Sequence, residues 1–186
     1  MNLPELIKDA KNNNRAAQKC LFDLYAGSML QTCKRYVKCP EDAEECLLDG
    51  FYEFFKNIDS FKFKAEPALL AWLKKIMIHK CLMFIRRTNS FDMVSGDMAA
   101  NIVIEENVLH KLAAKEITKL IMLLPVGYRT VFNLNEVDGY SHEEIAAMLK
   151  ISNATSRSQL KKSKTLLQKL VTSKNLVHEN YRSNKQ

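Results

Sequence analysis

Glycine and proline are scarce in this chain of 186 residues, five and four respectively. An all-β protein would need many tight turns, which lean on both residue types, so that class is excluded. No apolar run approaches the ~20 residues that a membrane-spanning helix requires. Residues Met1 to Lys11 lack the basic-then-apolar order of a secretory leader, and a cytoplasmic chain is expected. The five cysteines (Cys20, Cys33, Cys39, Cys46, Cys81) include no CxxC pair, so free, buried thiols are expected in place of disulfides or zinc. There is no Gly-rich phosphate loop. None of the histidines (His79, His110, His142, His178) neighbours a Ser, Cys or carboxylate in a nucleophile arrangement. No catalytic residue, cofactor or metal is assigned, and the chain is not read as an enzyme.

What is present is helix. Ala, Leu, Lys and Glu dominate stretches with a period near 3.6, which predicts an all-α fold. The formal charge is +7 and the sequence pI about 9.1. Such an excess suits nucleic acid or an anionic surface through counterion release, and equally suits plain solubility.

The first half reads as successive helices. One stripe runs through Leu21, Leu24, Tyr25, Ser28 and Thr32 to Tyr36, and Cys39-Pro40 breaks it. Asp42 is expected to cap the next helix, with Ala43, Cys46, Leu47, Gly50, Phe51, Phe54 and Ile58 inward and Glu41, Glu44, Glu45, Asp49 and Glu53 outward. Those carboxylates are a solvated face, a docking face for a basic partner, or a divalent-ion cluster. Residues 57–67 have no clean period and read as a loop. A third helix starts near Pro67 and is predicted to bury Leu69, Trp72, Leu73, Ile76, Met77, Cys81 and Phe84. Its Lys74, Lys75 and His79 adjoin the loop residues Phe61, Lys62, Phe63 and Lys64. Lysines interleaved with aromatics suit single-stranded nucleic acid, because unstacked bases rest on rings while lysines track phosphates. Trp72 is assigned to the core; the two phenylalanines are left between core and ligand.

Periodicity dissolves over residues 89–107, which read as a flexible linker with a reach of roughly 60 Å. The organisation expected is two small helical bundles: 1–88, then the linker, then 108–175, with a fraying tail over 176–186. In the second bundle Leu112, Ile117, Leu120, Ile121 and Leu124 lead to Pro125, and a further helix carries Tyr128, Val131 and Phe132. Asp138-Gly139 marks a turn. Ser141 and Glu144 then form a capping box, with Tyr140 and Ile145 as its hydrophobic staple. That helix stops at Lys150-Ile151, and Ser152 caps the last one, whose inward positions are Leu160, Ser163, Leu167 and Leu170. Two short helices joined this way form a helix-turn-helix, and the second starts with Thr155, Ser156, Arg157, Ser158 and Gln159 before Lys161, Lys162 and Lys164. Such a helix fits the major groove, its first turns meeting base edges and its later lysines phosphates. A solvated helical hairpin would show a similar pattern.

Two blocks of residues extend the reading. Leu-Pro-Val-Gly-Tyr-Arg-Thr-Val-Phe at 124–132, Gly-Tyr-Ser-His-Glu-Glu-Ile-Ala at 139–146 and Ala-Thr-Ser-Arg-Ser-Gln-Leu at 154–160 resemble the C-terminal domain of extracytoplasmic-function (ECF) sigma factors. Leu-Phe-Asp-Leu-Tyr at 21–25, Asp-Ala-Glu-Glu at 42–45, Gly-Phe at 50–51 and Ala-Trp-Leu-Lys-Lys-Ile-Met-Ile at 71–78 resemble the N-terminal domain of the same family, with a Bacteroidetes flavour. The resemblance implies an alternative sigma factor that binds core RNA polymerase and promoter DNA. It implies duplex −35 contacts from Thr155, Ser156, Arg157, Ser158, Lys161, Lys162 and Lys164. It implies capture of the unpaired −10 element by Phe61, Lys62, Phe63, Lys64, Lys74, Lys75 and His79. Asp42, Glu45, Asp49 and Glu53 become contacts to the clamp helices of the polymerase's largest subunit, and an anti-sigma protein becomes a possible partner. Leu48 and His79 stand where the family usually has Gln and Asn, and Met83 where it often has Asp. The first leaves one polymerase contact open, and the second bears on the −10 bases, so the promoter sequence is not carried over. The rivals are a dimeric helix-turn-helix regulator, which needs a dimerisation surface, and a metal-dependent nuclease, which needs ligands from other segments.

Overall fold

The computed structural model describes residues 2–88 and 114–183, and the side chains of 2–88 and 117–172. The linker expected over 89–107 lies outside the described residues. The described residues form eight α-helices and no strand, and the chain divides into two compact units, residues 1–90 and 91–186.

The first unit begins with α1 (Leu3–Lys11), closed by a reciprocal cap between Asn2 and Glu5. Asn13 turns the chain with a positive φ of 58°, a conformation Asn tolerates better than most residues. The Asn14 side chain then accepts from the Ala16 and Ala17 amides to start α2 (Arg15–Tyr36). α2 buries Ala17, Leu21, Tyr25, Met29, Thr32, Cys33 and Tyr36. Leu24, expected on that stripe, is instead 60% exposed. At 3.6 residues per turn it lies about 100° from the centre of the buried arc.

α3 (Pro40–Lys56) starts earlier than expected. Cys39 is its N-cap residue and Pro40 its first helical one, where a missing N–H costs nothing. Asp42 is therefore not the cap but sits inside the first turn, where the helix dipole favours an acidic residue. The inward row is as expected: Ala43, Cys46, Leu47, Gly50, Phe51 and Phe54, continued by Ile58 in a 3-10 turn, Ile58–Ser60. A Cβ on Gly50 would lie 2.3 Å from Met77 Sδ, so glycine lets α3 and α4 close on each other here.

α4 (Glu66–Arg87) carries Pro67 in its first turn and packs against both α2 and α3. Two neighbours demand a wide apolar arc. Leu69, Leu73, Met77 and Cys81 form one buried row, and Ile78, Leu82 and Ile85 form another that the sequence reading omitted. Trp72, Ile76 and Phe84, expected in the core, are only half-buried on the flanks.

All five cysteines are free, but only Cys33, Cys46 and Cys81 are buried; Cys20 and Cys39 are exposed. The buried three come from α2, α3 and α4. Hydrogen bonding with the Cys33 and Cys46 sulfurs, reinforced by burial, pushes the Cys81 thiol up from its ordinary pKa, which keeps it protonated and poorly nucleophilic.

The second unit comprises α5 (Ala114–Leu123), α6 (Val126–Phe132), a π-helical turn (Asn133–Val137), α7 (His142–Leu149) and α8 (Asn153–Ser183). Leu120, Ile121, Leu124, Tyr128, Leu167 and Val171 form its core cluster, with Ile117, Phe132, Leu166 and Leu170 packed around it. α8 runs through Ser183 where a fraying tail was expected over 176–186. No glycine or proline interrupts that segment, so nothing local stops the helix.

Replacing Leu73 with alanine should cost the first unit roughly 2–5 kcal/mol by cavity formation. Urea unfolding followed by fluorescence of the single tryptophan, Trp72, measures this directly. A loss below about 1 kcal/mol would contradict the packing of α4 described here.

Candidate nucleic-acid interface

α7 and α8 each start from a side-chain cap. Ser141 Oγ accepts from the Glu144 amide at 3.2 Å, and the Glu144 carboxylate accepts from the Ser141 amide at 2.8 Å. Lys150 closes α7 in the left-handed conformation, φ 56°. Ser152 Oγ then accepts from the Thr155 amide at 2.9 Å and lies 2.8 Å from the Thr155 hydroxyl. These bonds satisfy amides that a helix start leaves orphaned, and the cap at Ser152 fixes where α8 begins.

Two residues that the sequence reading set at the DNA-facing start of α8 point the other way. Ser156 is fully enclosed, its hydroxyl 2.9 Å from His142 Nδ1. That contact joins α7 to α8, so Ser156 is a positioning group and not a surface one. Gln159 is 6% exposed and approaches Gly127 on α6, where a Cβ would lie 2.9 Å from its Oε1. Glycine at 127 thus admits the glutamine between α6 and α8. Arg129 is buried beside them and donates to the Leu124 carbonyl at 3.1 Å; burial lowers its pKa from the ordinary guanidinium value.

The outward side of α8 carries Arg157, Ser158, Lys161 and Lys164, all exposed, with Thr155 and Lys162 half-buried at its margin. Arg157, Lys161 and Lys164 recur at i, i+4 and i+7, hence on one stripe. Lys164 Nζ is 3.0 Å from a Glu136 carboxylate oxygen on the π-helical turn, a partly exposed pair of small worth.

In the first unit, residues 61–65 belong to neither flanking helix. Phe61 and Phe63 are half-buried while Lys62 and Lys64 are exposed, the alternation of an extended chain. The Phe61 ring stacks face to face on Trp72, centroids 4.8 Å apart and planes within 2°. Trp72, Lys75 and His79 follow i, i+3, i+7 along α4, so loop and helix present one continuous surface. Lys74 does not join it. Two residues from Trp72, it sits about 200° round the helix.

The acidic face of α3 is partly neutralised from within. Glu53 pairs with Lys80 of α4 at 3.2 Å and Glu45 with Arg87 at 3.3 Å. The Lys80 ammonium, helped by the Asn57 amide, holds the Glu53 carboxyl below its usual range. Asp49 is exposed and Asp42 half-buried. Glu45, Cys46, Asp49, Lys80, Met83, Phe84 and Arg87 line a groove of about 150 Å³ between the two helices. Leu48 and Tyr52, 59% and 69% exposed, flank Asp49. Leu48 was expected only as a departure from a usual polymerase contact, and Tyr52 carried no expectation. Their signal was their place off the buried row of α3 in a face otherwise charged. Among the described residues no group of three or more His, Cys, Asp or Glu could hold a metal ion. Nor is any described helix long and apolar enough to cross a membrane.

The same two units are found in known proteins. Residues 21–91 match the family profile of Sigma-70 region 2, and residues 114–167 match that of Sigma-70, region 4. Together they span more than half of the chain, in the order of the two units, and the chain belongs to the sigma-70 family of transcription initiation factors. Its relatives include the ECF RNA polymerase sigma factor SigW of Bacillus subtilis, 26% identical over 182 residues, covering 91% of this chain and 96% of that one. The ECF RNA polymerase sigma-E factor of Escherichia coli K12 is also 26% identical, covering 83% and 86%. Within the family this is thus an alternative sigma factor of the ECF class, which directs transcription initiation. A solved relative shares the fold: the sigma factor RpoE from Bartonella quintana, in co-crystal with the anti-sigma factor NepR. It has a TM-score of 0.51 and 20% identity, covering 83% of this chain and 96% of that one.

The enclosed and exposed serines of α8 can be told apart by charge. Ser156→Asp should destabilise the second unit by more than about 2 kcal/mol, because it buries a carboxylate. Ser158→Asp should change stability by less than about 0.5 kcal/mol. Urea unfolding followed by circular dichroism measures both; equal effects would contradict the assigned burial.

Proposed function

We propose that the two units divide promoter recognition between duplex and melted DNA. The second reads the −35 element. Arg157, Ser158 and Lys161 reach base edges while Thr155, Lys162 and Lys164 take phosphates, and Ser156, enclosed against His142, is left out of the contact set. The observation that carries this reading is the start of α8, capped by Ser152 and tied to α7 through Ser156 and His142, which presents the exposed stripe. A helix held at both its start and its inner face can keep side chains in register with base edges.

The first unit captures the unpaired −10 element. Phe61, Lys62, Phe63 and Lys64, with Lys75 and His79 on α4, offer rings to bases and cations to phosphates. Lys74 contributes from another face of α4, through long-range attraction and not through the pocket. Asp42, Glu45, Asp49 and Glu53 dock on the clamp helices of the polymerase's largest subunit. Leu48 and Tyr52 add apolar surface to that contact. Glu53 and Glu45 act there partly by setting α4 against α3, since both already hold a cation of α4.

Each unit alone binds DNA weakly. Core polymerase holds both, so the second contact becomes intramolecular and affinity rises by avidity. The chain performs no chemistry of its own: melting rests on trapping unstacked bases. It acts in the cytoplasm, in a host of the Bacteroidetes type, under control of an anti-sigma protein that clamps its two units. The NepR co-crystal of RpoE supports that last reading by similarity of fold.

Holoenzyme binding to a set of base-substituted −35 duplexes tests the division of labour. Arg157→Ala should cost about 1–3 kcal/mol at one base position and relax discrimination there. Lys162→Ala should weaken every sequence alike and lower the salt dependence by about one ion. Identical specificity changes from the two substitutions would overturn the proposal.

A further inference from the structure

The loop at residues 61–65 is held from the far N-terminus of its unit. In the last turn of α1, Lys11 donates from Nζ to the Phe61 carbonyl at 2.7 Å and to the Asp59 carbonyl at 3.3 Å. The side chain is half-buried, and its charge is directed at two neutral peptide oxygens. Hydrogen bonds from a charged donor are shorter and stronger than neutral ones, and the bond to Phe61 lies at the short end of that range. The exit of the loop is tied too. The Tyr25 hydroxyl donates to the Glu66 carboxylate at 3.1 Å. Burial, then that carboxylate, pushes the phenol up to about 12, so it stays a donor at neutral pH. Between the two ties, Phe61 lies flat on Trp72.

Fixing the Phe61 carbonyl fixes the peptide plane from which Lys62 and Phe63 depart. We propose that Lys11 is a positioning residue for promoter melting: by gripping the carbonyls of Asp59 and Phe61 it presets the loop that receives unpaired −10 bases. The proposal rests on the reading of residues 61–64 as the −10 site. Its physical content is pre-organisation. A loop ordered on folding does not lose that entropy again when DNA arrives. Lys11 touches no base; it acts through the loop.

The test uses the full chain assembled with core polymerase, in Lys11→Met, Lys11→Arg and Lys62→Ala/Lys64→Ala forms. Three affinities are measured: for a fork-junction probe with a single-stranded −10 segment, for a duplex −35 probe, and for core polymerase. Trp72 emission of the free chain reports the Phe61 stack, since no other tryptophan is present. Lys11→Met should weaken fork binding about tenfold, the factor one hydrogen bond to a charged group commands. It should shift Trp72 emission to the red and leave the other two affinities within about twofold. Lys11→Arg, which still offers donors to two carbonyls, should restore both fork binding and emission. Three results overturn the positioning role: unchanged fork binding in Lys11→Met, loss of fork binding with unaltered emission, or an equal fall in all three affinities. If Lys62→Ala/Lys64→Ala also leaves fork binding intact, the −10 reading of the loop fails and the proposal falls with it. If that double variant weakens fork binding while Lys11→Met does not, only the positioning role is lost.

Discussion

The packing of α4 against α2 and α3 together is the constraint on which the first unit depends. Serving two neighbours consumes more than half of the circumference of α4, through Leu69, Leu73, Met77, Ile78, Cys81, Leu82 and Ile85. What remains is a narrow outward strip on which Trp72, Lys75 and His79 fall in line. The loop before α4 meets the start of that strip, where Phe61 stacks on Trp72. The same close packing, permitted at Gly50, brings Lys80 and Arg87 against the acid side of α3. A basic, aromatic surface and an acidic one thus arise around one small core.

The second unit solves a different problem, that of aiming one helix. Burial of Leu167 and Val171 against α5 and α6 anchors the middle of α8, while the cap at Ser152 sets its start. Between them the polar contact of His142 with Ser156 joins α7 to α8. Polar contacts of this kind specify one angle more narrowly than apolar packing, which tolerates sliding. The exposed cations of α8 are thereby held on one outward stripe.

Much of this was legible in residue order. The capping box at Ser141 and Glu144, the proline start of α4, and the inward row of α3 each carry a local signal that depends on few neighbours. Errors arose where tertiary contact decides. Periodicity assigns one face to a helix, so α4, which has two, kept Ile78, Leu82 and Ile85 hidden. A polar residue at a helix start looks like a surface group, and only the partner across the turn reveals Ser156 as enclosed. Lys11 carried no signal at all, because its acceptors lie 48 and 50 residues away. Lys74 was grouped with Lys75 by adjacency, although adjacent helical residues do not share a face.

The central claim is that both units act only when a polymerase holds them on one promoter. Run-off transcription by purified core polymerase, with and without this chain, on the region upstream of its own coding sequence tests it most directly, paired with permanganate probing of unpaired thymines. The account requires a discrete transcript and reactive thymines near −10 only when chain and polymerase are both present. Opening of the DNA by the chain alone, or no transcript from the combination, would contradict it.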